Sequence, residues 1–163
     1  MQMRSEGNLG FGGGLLDSEV TESVVDCLNR EYQEELNLDL EKCKFKQEDH
    51  IMTAVNHKLK FVTHFYAHEV SNESFYEIEK DSVNASHWGT ETFGIVRVPL
   101  FVVDSDKFRG LPVFLANCFA GCAREQLMET IKRKQLIPLE DLQFACKRFK
   151  DYMAVQSLCK AKK

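Results

Sequence analysis

Gly10-Phe11-Gly12-Gly13-Gly14, followed by Arg30-Glu31-Tyr32-Gln33-Glu34-Glu35-Leu36, is the part of this chain whose reading decides its fold. At about 100° per residue, a helix through the second stretch carries Glu31, Glu34 and Glu35 within roughly a 100° arc beside its apolar stripe. Like charges at i,i+3 and i,i+4 repel, each pair costing a few tenths of a kcal/mol. Arg30 is expected to point away from that arc, toward Asp26 one turn earlier, so no cation relieves the three glutamates. On an arbitrary helix such a cluster is usually a solvated acidic face. The glycine loop changes the balance, because glycine lets a backbone carbonyl approach carboxylates closely and complete a compact oxygen cage. Hard divalent cations favour such a cage. Mg²⁺ takes one or two carboxylates and leaves its other positions to water and substrate phosphates.

Working outward, Thr21 to Leu36 reads as one helix with Thr21, Val25, Leu28, Tyr32 and Leu36 on a common face. Met1 to Arg4 alternates and precedes the turn-forming Ser5-Glu6-Gly7-Asn8, as the end of a strand does, and Leu9 to Leu16 reads as a glycine-rich strand and loop. Lys58 to His68 is expected to be a strand with Leu59, Phe61, Thr63 and Phe65 on one side. A second apolar strand is expected from Phe93 to Val103, with Pro99 marking an edge or a bulge. Beyond Arg109-Gly110-Leu111-Pro112, a long helix is expected to about Lys134, carrying Phe119, Ala123, Leu127 and Ile131. Pro138, with Glu140 and Asp141 behind it, opens an amphipathic helix through Leu142, Ala145, Phe149 and Met153. Strands mixed with helices at both ends predict an α/β sandwich.

The 163 residues suit one domain, burying about 70% of the surface that the unfolded chain exposes. Its expected extent is 1–138, followed by a basic amphipathic helix over 139–163. Cys27, Cys43, Cys118, Cys122, Cys146 and Cys159 contain no Cys-x-x-Cys pair and are expected to be free thiols of a reducing compartment. The sequons at Asn72 and Asn84 then have no reader, and no apolar run approaches membrane-spanning length. The net charge of −4 hides a division: residues 1–131 hold 12 Lys+Arg against 22 Asp+Glu, and residues 132–163 hold 9 against 3. Such a basic tail is either a solvated helix face or a contact for a polyanion.

The pattern Glu22, Arg30, Glu31, Tyr32, Glu34, Glu35 and Leu38 resembles the Nudix box, G-x5-E-x7-R-E-U-x-E-E-x-G-U. Two positions depart from it: Gly14 lies two residues too far from Glu22, and Asn37 stands where glycine is usual, although asparagine tolerates the left-handed conformation. Met-Gln-Met-Arg, Gly-Phe-x-Gly-Gly, Leu-Asn-Arg-Glu, His-Phe-Tyr-Ala, Val-Arg-Val-Pro-Leu, Gly-Leu-Pro-x-Phe-Leu and Ala-Arg-Glu-Gln-Leu follow in order from Met1 to about Ile131. Together they resemble the U8 snoRNA-decapping branch of the Nudix family.

That resemblance implies an α/β/α sandwich with a mixed sheet. It implies Mg²⁺ or Mn²⁺ held by Glu31, Glu34, Glu35 and the Gly13 carbonyl, with Arg30 orienting the glutamates. It further implies substrate contacts from Arg4, Phe11 and Gln126, whose plain alternatives are a surface charge, a core ring and a polar helix edge. The implied substrates are 7-methylguanosine-capped RNA, in the nucleolus or nucleoplasm and also the cytoplasm, or free purine nucleotides such as inosine diphosphates. A third reading is a non-catalytic binding protein, like syndesmos-like relatives in which the box has decayed; the intact Arg30-Glu31 and Glu34-Glu35 speak against it.

Gly12 replaces the branch's proline, which should loosen the loop. Ala54 falls where the branch often has a histidine, with His50 and His57 flanking it. Trp88 is either a base-stacking ring or a core anchor. The branch carries strand-forming residues ahead of Met-Gln-Met-Arg, among them a base-stacking histidine. The expectation is therefore a shortened domain with first strands missing, low activity, and an unpaired sheet edge prone to self-association such as a homodimer.

Overall fold

The computed structural model describes residues 1–16, 21–103, 105–106 and 109–160, the last five by backbone alone. They form two compact units, Met1–Val96 and Arg97–Lys163. The expected boundary between residues 138 and 139 falls inside the second unit, where its last helix begins.

In the first unit, β1 (Gln2–Arg4) pairs antiparallel with β2 (Leu9–Gly10) across a turn in which Gly7 takes φ 83°. Helix α1 (Val24–Leu36) starts three residues later than expected because a capping box sets its origin. The Ser23 hydroxyl accepts the Asp26 N–H at 3.2 Å, and the Asp26 carboxylate accepts the Ser23 N–H at 3.3 Å. The helix stops at Asn37, whose φ of 53° is the left-handed cap for which glycine is the usual residue.

Next comes a hairpin of β3 (His50–Asn56) and β4 (Phe61–Tyr66). The expected Lys58–His68 strand begins at Phe61 instead, because the Asn56 side chain accepts the N–H groups of Lys58 and Leu59 and turns the chain there. Of the four residues assigned to its apolar side, Phe65 is buried, Thr63 half-buried, and Leu59 and Phe61 exposed. Helix α2 (Asn72–Asp81), capped by Ser71, lies where the sequence reading places no element; its apolar residues Phe75 and Ile78, one turn apart, are half-buried. Strand β5 (Thr92–Ile95) then pairs with β1, giving an antiparallel sheet ordered β2-β1-β5. It is shorter than the expected Phe93–Val103 because its three-residue partner ends, the last rung being Val96 N–H to the Met1 carbonyl at 2.7 Å. The mixed sheet is also corrected: every strand pair among the described residues is antiparallel, and parallel pairing is confined to an isolated bridge between Trp88 and Thr92.

In the second unit the single long helix is two, α3 (Leu111–Phe114) and α4 (Ala123–Arg133). The first ends at Phe114, and Gly121, at φ 49°, lies just before Cys122, the N-cap of the second. Phe119 lies in that break, near the Phe114 ring, with the Arg124 guanidinium 4.9 Å from its centroid. The other side of Arg124 faces Phe149 of α5 (Leu139–Lys160) at 5.0 Å. Helix α5 buries Leu142 and Ala145, half-buries Phe149 and exposes Gln143, Lys147 and Lys150; Met153, expected on the apolar face, is 38% exposed, so the amphipathic division does not extend to it. No helix of the described residues is long and apolar enough to cross a membrane. Cys27, Cys43, Cys118, Cys122 and Cys146 are free thiols; the Cys159 side chain lies outside the described residues.

Candidate active site

Glu35 is the buried member of the acidic trio, 1% exposed near the end of α1. Its Oε2 accepts the Gly13 N–H at 3.1 Å and the Gln2 amide at 3.3 Å. Its Oε1 is buried without a hydrogen-bond partner, the Arg4 Nη1 standing 3.9 Å away. Burial pushes this carboxyl above the ordinary carboxylate range, and the donors from Gly13, Gln2 and Arg4 only partly oppose it. Tyr32 is pushed up likewise, first by burial and then by the charge of Glu35.

Glycine makes this approach possible at two positions. A Cβ on Gly12 would stand 2.7 Å from Glu35 Oε2, and one on Gly14 would stand 2.3 Å from the Glu31 carboxyl carbon. The loop's backbone therefore lies against two of the three carboxylates, through an N–H at Gly13.

Arg30 differs from its expected course. It does not pair with Asp26, which is spent on the capping box; its guanidinium reaches Glu31 at 2.8 Å, Glu34 at 3.3 Å and Glu22 at 3.3 Å. Hydrogen bonds to Glu22 and Glu31 raise its already high pKa. The repulsion along the acidic arc thus has a relieving cation after all. Sequence spacing missed it because an arginine side chain is long enough to bend back across its own helix face.

Among the described residues no three His, Cys, Asp or Glu side chains converge as a preformed ligand set. Arg30 holds Glu31 and Glu34, while Glu35 faces Gln2, Gly13 and Arg4. The donors still fit a hard divalent cation in kind: all are oxygens on one helix, and Glu35 Oε1 is an orphaned buried acceptor that a cation would satisfy.

The remaining expected residues divide. Arg4 stands beside Glu35 and pairs with Glu6 at 3.5 Å. The Phe11 ring, half-buried, packs on Phe65 with centroids 4.7 Å apart. Gln126 is buried on α4 in the second unit. Gly13 is fixed through its N–H, at φ 133°. Trp88 is 37% exposed, and a Cβ on Gly94 would stand 3.0 Å from its ring. Ala54 is half-buried on β3; His50 shares the Thr53 hydroxyl with His64, each at 2.9 Å, and His57 is exposed in the hairpin turn. Two participants were missed. Gln2 is 2% exposed, a polar residue facing inward on an alternating strand, a signal visible in Met-Gln-Met. His87 lies against Glu34, and nothing local to it in the sequence announces that.

The chain matches the family model described as Nudt16-like, U8 snoRNA-decapping enzyme-like, over residues 1–137. It is 44% identical over 117 residues to a U8 snoRNA-decapping enzyme of Homalodisca vitripennis, covering 72% of this chain and 61% of that protein. A U8 snoRNA-decapping enzyme of Mus musculus is 39% identical over 137 residues, 84% of this chain and 69% of that protein. A Tudor-interacting repair regulator protein of Gallus gallus is 38% identical over 145 residues, 87% of this chain and 44% of that protein. The chain thus spans under two thirds of the first of these relatives. With a family model covering most of its length and the glutamate-bearing helix in place against its glycine loop, the chain belongs to the Nudt16-like, U8 snoRNA-decapping enzyme-like branch of the Nudix family.

Proposed function

We propose that this chain hydrolyses the pyrophosphate link of 7-methylguanosine-capped RNA in a metal-dependent reaction. The observation that carries the reading is the helix that bears Glu31, Glu34 and Glu35 and sets Glu31 and a buried Glu35 against the glycine loop, in a chain similar to proteins named as snoRNA-decapping enzymes. Glu31, Glu34 and Glu35 would hold Mg²⁺ or Mn²⁺, with the Gly13 carbonyl as a further oxygen. Bound there, the ion supplies charge neutralisation and an acidified water. Arg30 holds the Glu31 and Glu34 carboxylates in place through its fork. Arg4, 3.9 Å from Glu35, offsets the charge of that carboxylate and would meet a phosphate oxygen.

The test sets capped RNA and inosine diphosphate side by side, with each metal and with chelator, and identifies the products. Release of a 7-methylguanosine nucleotide that stops with chelator is the expected result. Hydrolysis of inosine diphosphate alone would make the chain a free-nucleotide diphosphatase. A second reading rests on the similarity to Tudor-interacting repair regulators: a binding protein without turnover, which inactivity on both substrates by folded, metal-loaded protein would favour.

A further inference from the structure

The β3–β4 hairpin is a cationic island in an acidic unit. Residues 50–68 hold Lys58 and Lys60 and no Asp or Glu, whereas the rest of Met1–Val96 holds 6 Lys+Arg against 18 Asp+Glu. Asp49, which precedes the hairpin, faces His68 at its base at 2.9 Å. His57, Lys58, Leu59 and Lys60 are exposed at the turn, and among the described residues neither lysine is in an ion pair. No role above uses them.

Cross-strand pairing fixes which way the rings of the hairpin look. Met52 stands opposite Phe65, Ala54 opposite Thr63 and Asn56 opposite Phe61, so Phe61, Thr63 and Phe65 share one face. Phe65 is buried at the inner end, where its ring meets that of Phe11 at 4.7 Å, beside the glycines that approach Glu35 and Glu31. Four residues of strand carry this face outward by about 13 Å. Phe61, 43% exposed, stands at its outer end. Val55 and Val62, paired on the opposite face, are exposed as well. The exposed apolar groups are thus divided between two faces and do not make the single flat patch that a second copy would cover. An aromatic ring beside two lysines, on a face that begins at the glycine loop, instead fits an extended polyanion that carries flat bases.

We infer that the hairpin is the docking surface for the nucleotides that follow the cap, with Phe61 stacking on a base and Lys58 and Lys60 meeting phosphates. The inference rests on the reading of capped RNA as the substrate. A cap held at the acidic helix leaves the rest of the RNA beside a unit whose carboxylates repel it, and the hairpin is where that repulsion is relieved. Every base has a face to stack, so the surface responds to the length of the RNA and not to its sequence.

The test is anisotropy of a labelled capped RNA of about ten nucleotides, within the range of a single-strand site, against the cap dinucleotide. Both carry methylene bridges in the cap, so that they bind uncut in Mg²⁺. The parent is expected to bind the RNA more tightly than the dinucleotide, whatever the base sequence. Phe61→Ala and Phe61→Leu should weaken RNA binding by about 5- to 150-fold. The leucine keeps the apolar bulk, so its loss reports the flat ring and not the packing of the hairpin. Lys58→Gln with Lys60→Gln should lower the salt slope by about 0.7–1 for each lysine. Lys42→Gln with Lys80→Gln, exposed lysines outside the hairpin, should leave that slope unchanged. Parent-like affinity and slope in the hairpin variants overturns the inference and leaves the substrate reading intact. An equal fall in slope for the Lys42 and Lys80 pair assigns the effect to net charge and overturns it too. A dimer seen by sedimentation that Phe61→Leu dissolves would give the hairpin to a second copy, also against the inference. A parent that binds neither the RNA nor the dinucleotide overturns the substrate reading itself.

Discussion

Burying Glu35 beside two neutral donors and a guanidinium 3.9 Å away raises its pKa, and the sign of the consequence follows. An acid whose folded pKa lies above its unfolded value, about 4.3, stabilises the fold fully below that value and loses this contribution as pH rises through the folded pKa. Metal-free Glu35→Gln, which cannot ionise, should therefore melt above the parent at pH 7, by roughly 2–4 °C for each kcal/mol relieved. The gap should close as pH falls toward about 4. If Glu35 holds the cation that offsets phosphate charge in the transition state, as proposed, turnover of the same variant should fall by roughly 10²-fold or more. Melts in chelator from pH 4 to 8, with turnover at saturating Mg²⁺, check both; a parent more stable at every pH would contradict the first. Glycine supplies a second prediction. Gly14→Ala must displace the Glu31 carboxyl, whereas Gly7→Ala meets open space but strains a φ of 83°. Gly14→Ala should cost activity. Gly7→Ala should cost about 1–2 kcal/mol of stability and leave turnover near the parent's; equal kinetic losses in the two would remove the case for a close approach at Gly14.

Among the elements, α1 depends on contacts its own sequence shows only in part. Asn29 is buried, and its amide nitrogen donates to the carbonyls of Val25 and Phe45 while its oxygen accepts the Phe45 N–H at 2.8 Å. The segment after α1 is thereby fastened back onto the helix, where Phe45 meets Tyr32 with ring centroids 4.7 Å apart. Asn29→Ala strands the polar groups of Phe45, and a loss of about 1–3 kcal/mol is expected from urea denaturation. A change within about 0.5 kcal/mol, the usual range for surface substitutions, would mean that water replaces the amide. The C-terminal end of the helix falls where the sequence puts it, at Asn37, whereas the start falls three residues later than periodicity suggests, at the capping box of Ser23 and Asp26. The hairpin was half legible: the alternation in Phe61–Tyr66 shows a strand, but the turn made by Asn56 and Lys60 at φ 56° hides inside a run that reads as one strand.

For the molecule as a whole, the charge division falls between the two compact units. Met1–Val96 holds 8 Lys+Arg against 18 Asp+Glu, and Arg97–Lys163 holds 13 against 7, so the units carry −10 and +6. Capped RNA extends past the cap, and a basic unit is suited to its phosphates. If Lys147 and Lys150, exposed on α5, contact that backbone, replacing each by glutamine should reduce the salt slope of RNA binding by about one. Hydrolysis of inosine diphosphate should be untouched. Anisotropy titrations of a capped oligonucleotide at several salt concentrations decide it; unchanged slopes would leave α5 a solvated face.

The sequence by itself determined what neighbouring residues settle among themselves. The arc of Glu31, Glu34 and Glu35, the asparagine cap at residue 37, the glycine loop and the opening of α5 at Pro138 all follow from spacings of a few residues. Tertiary structure decided which of the three glutamates is buried, because that depends on Gln2 and Gly13, 33 and 22 residues away. It turned Arg30 onto Glu22, Glu31 and Glu34 rather than Asp26, broke the expected long helix between Phe114 and Ala123, and brought His87 to Glu34. Helical periodicity is written every three or four residues, whereas burial and the partner of a long charged side chain are set by whichever distant segment packs there.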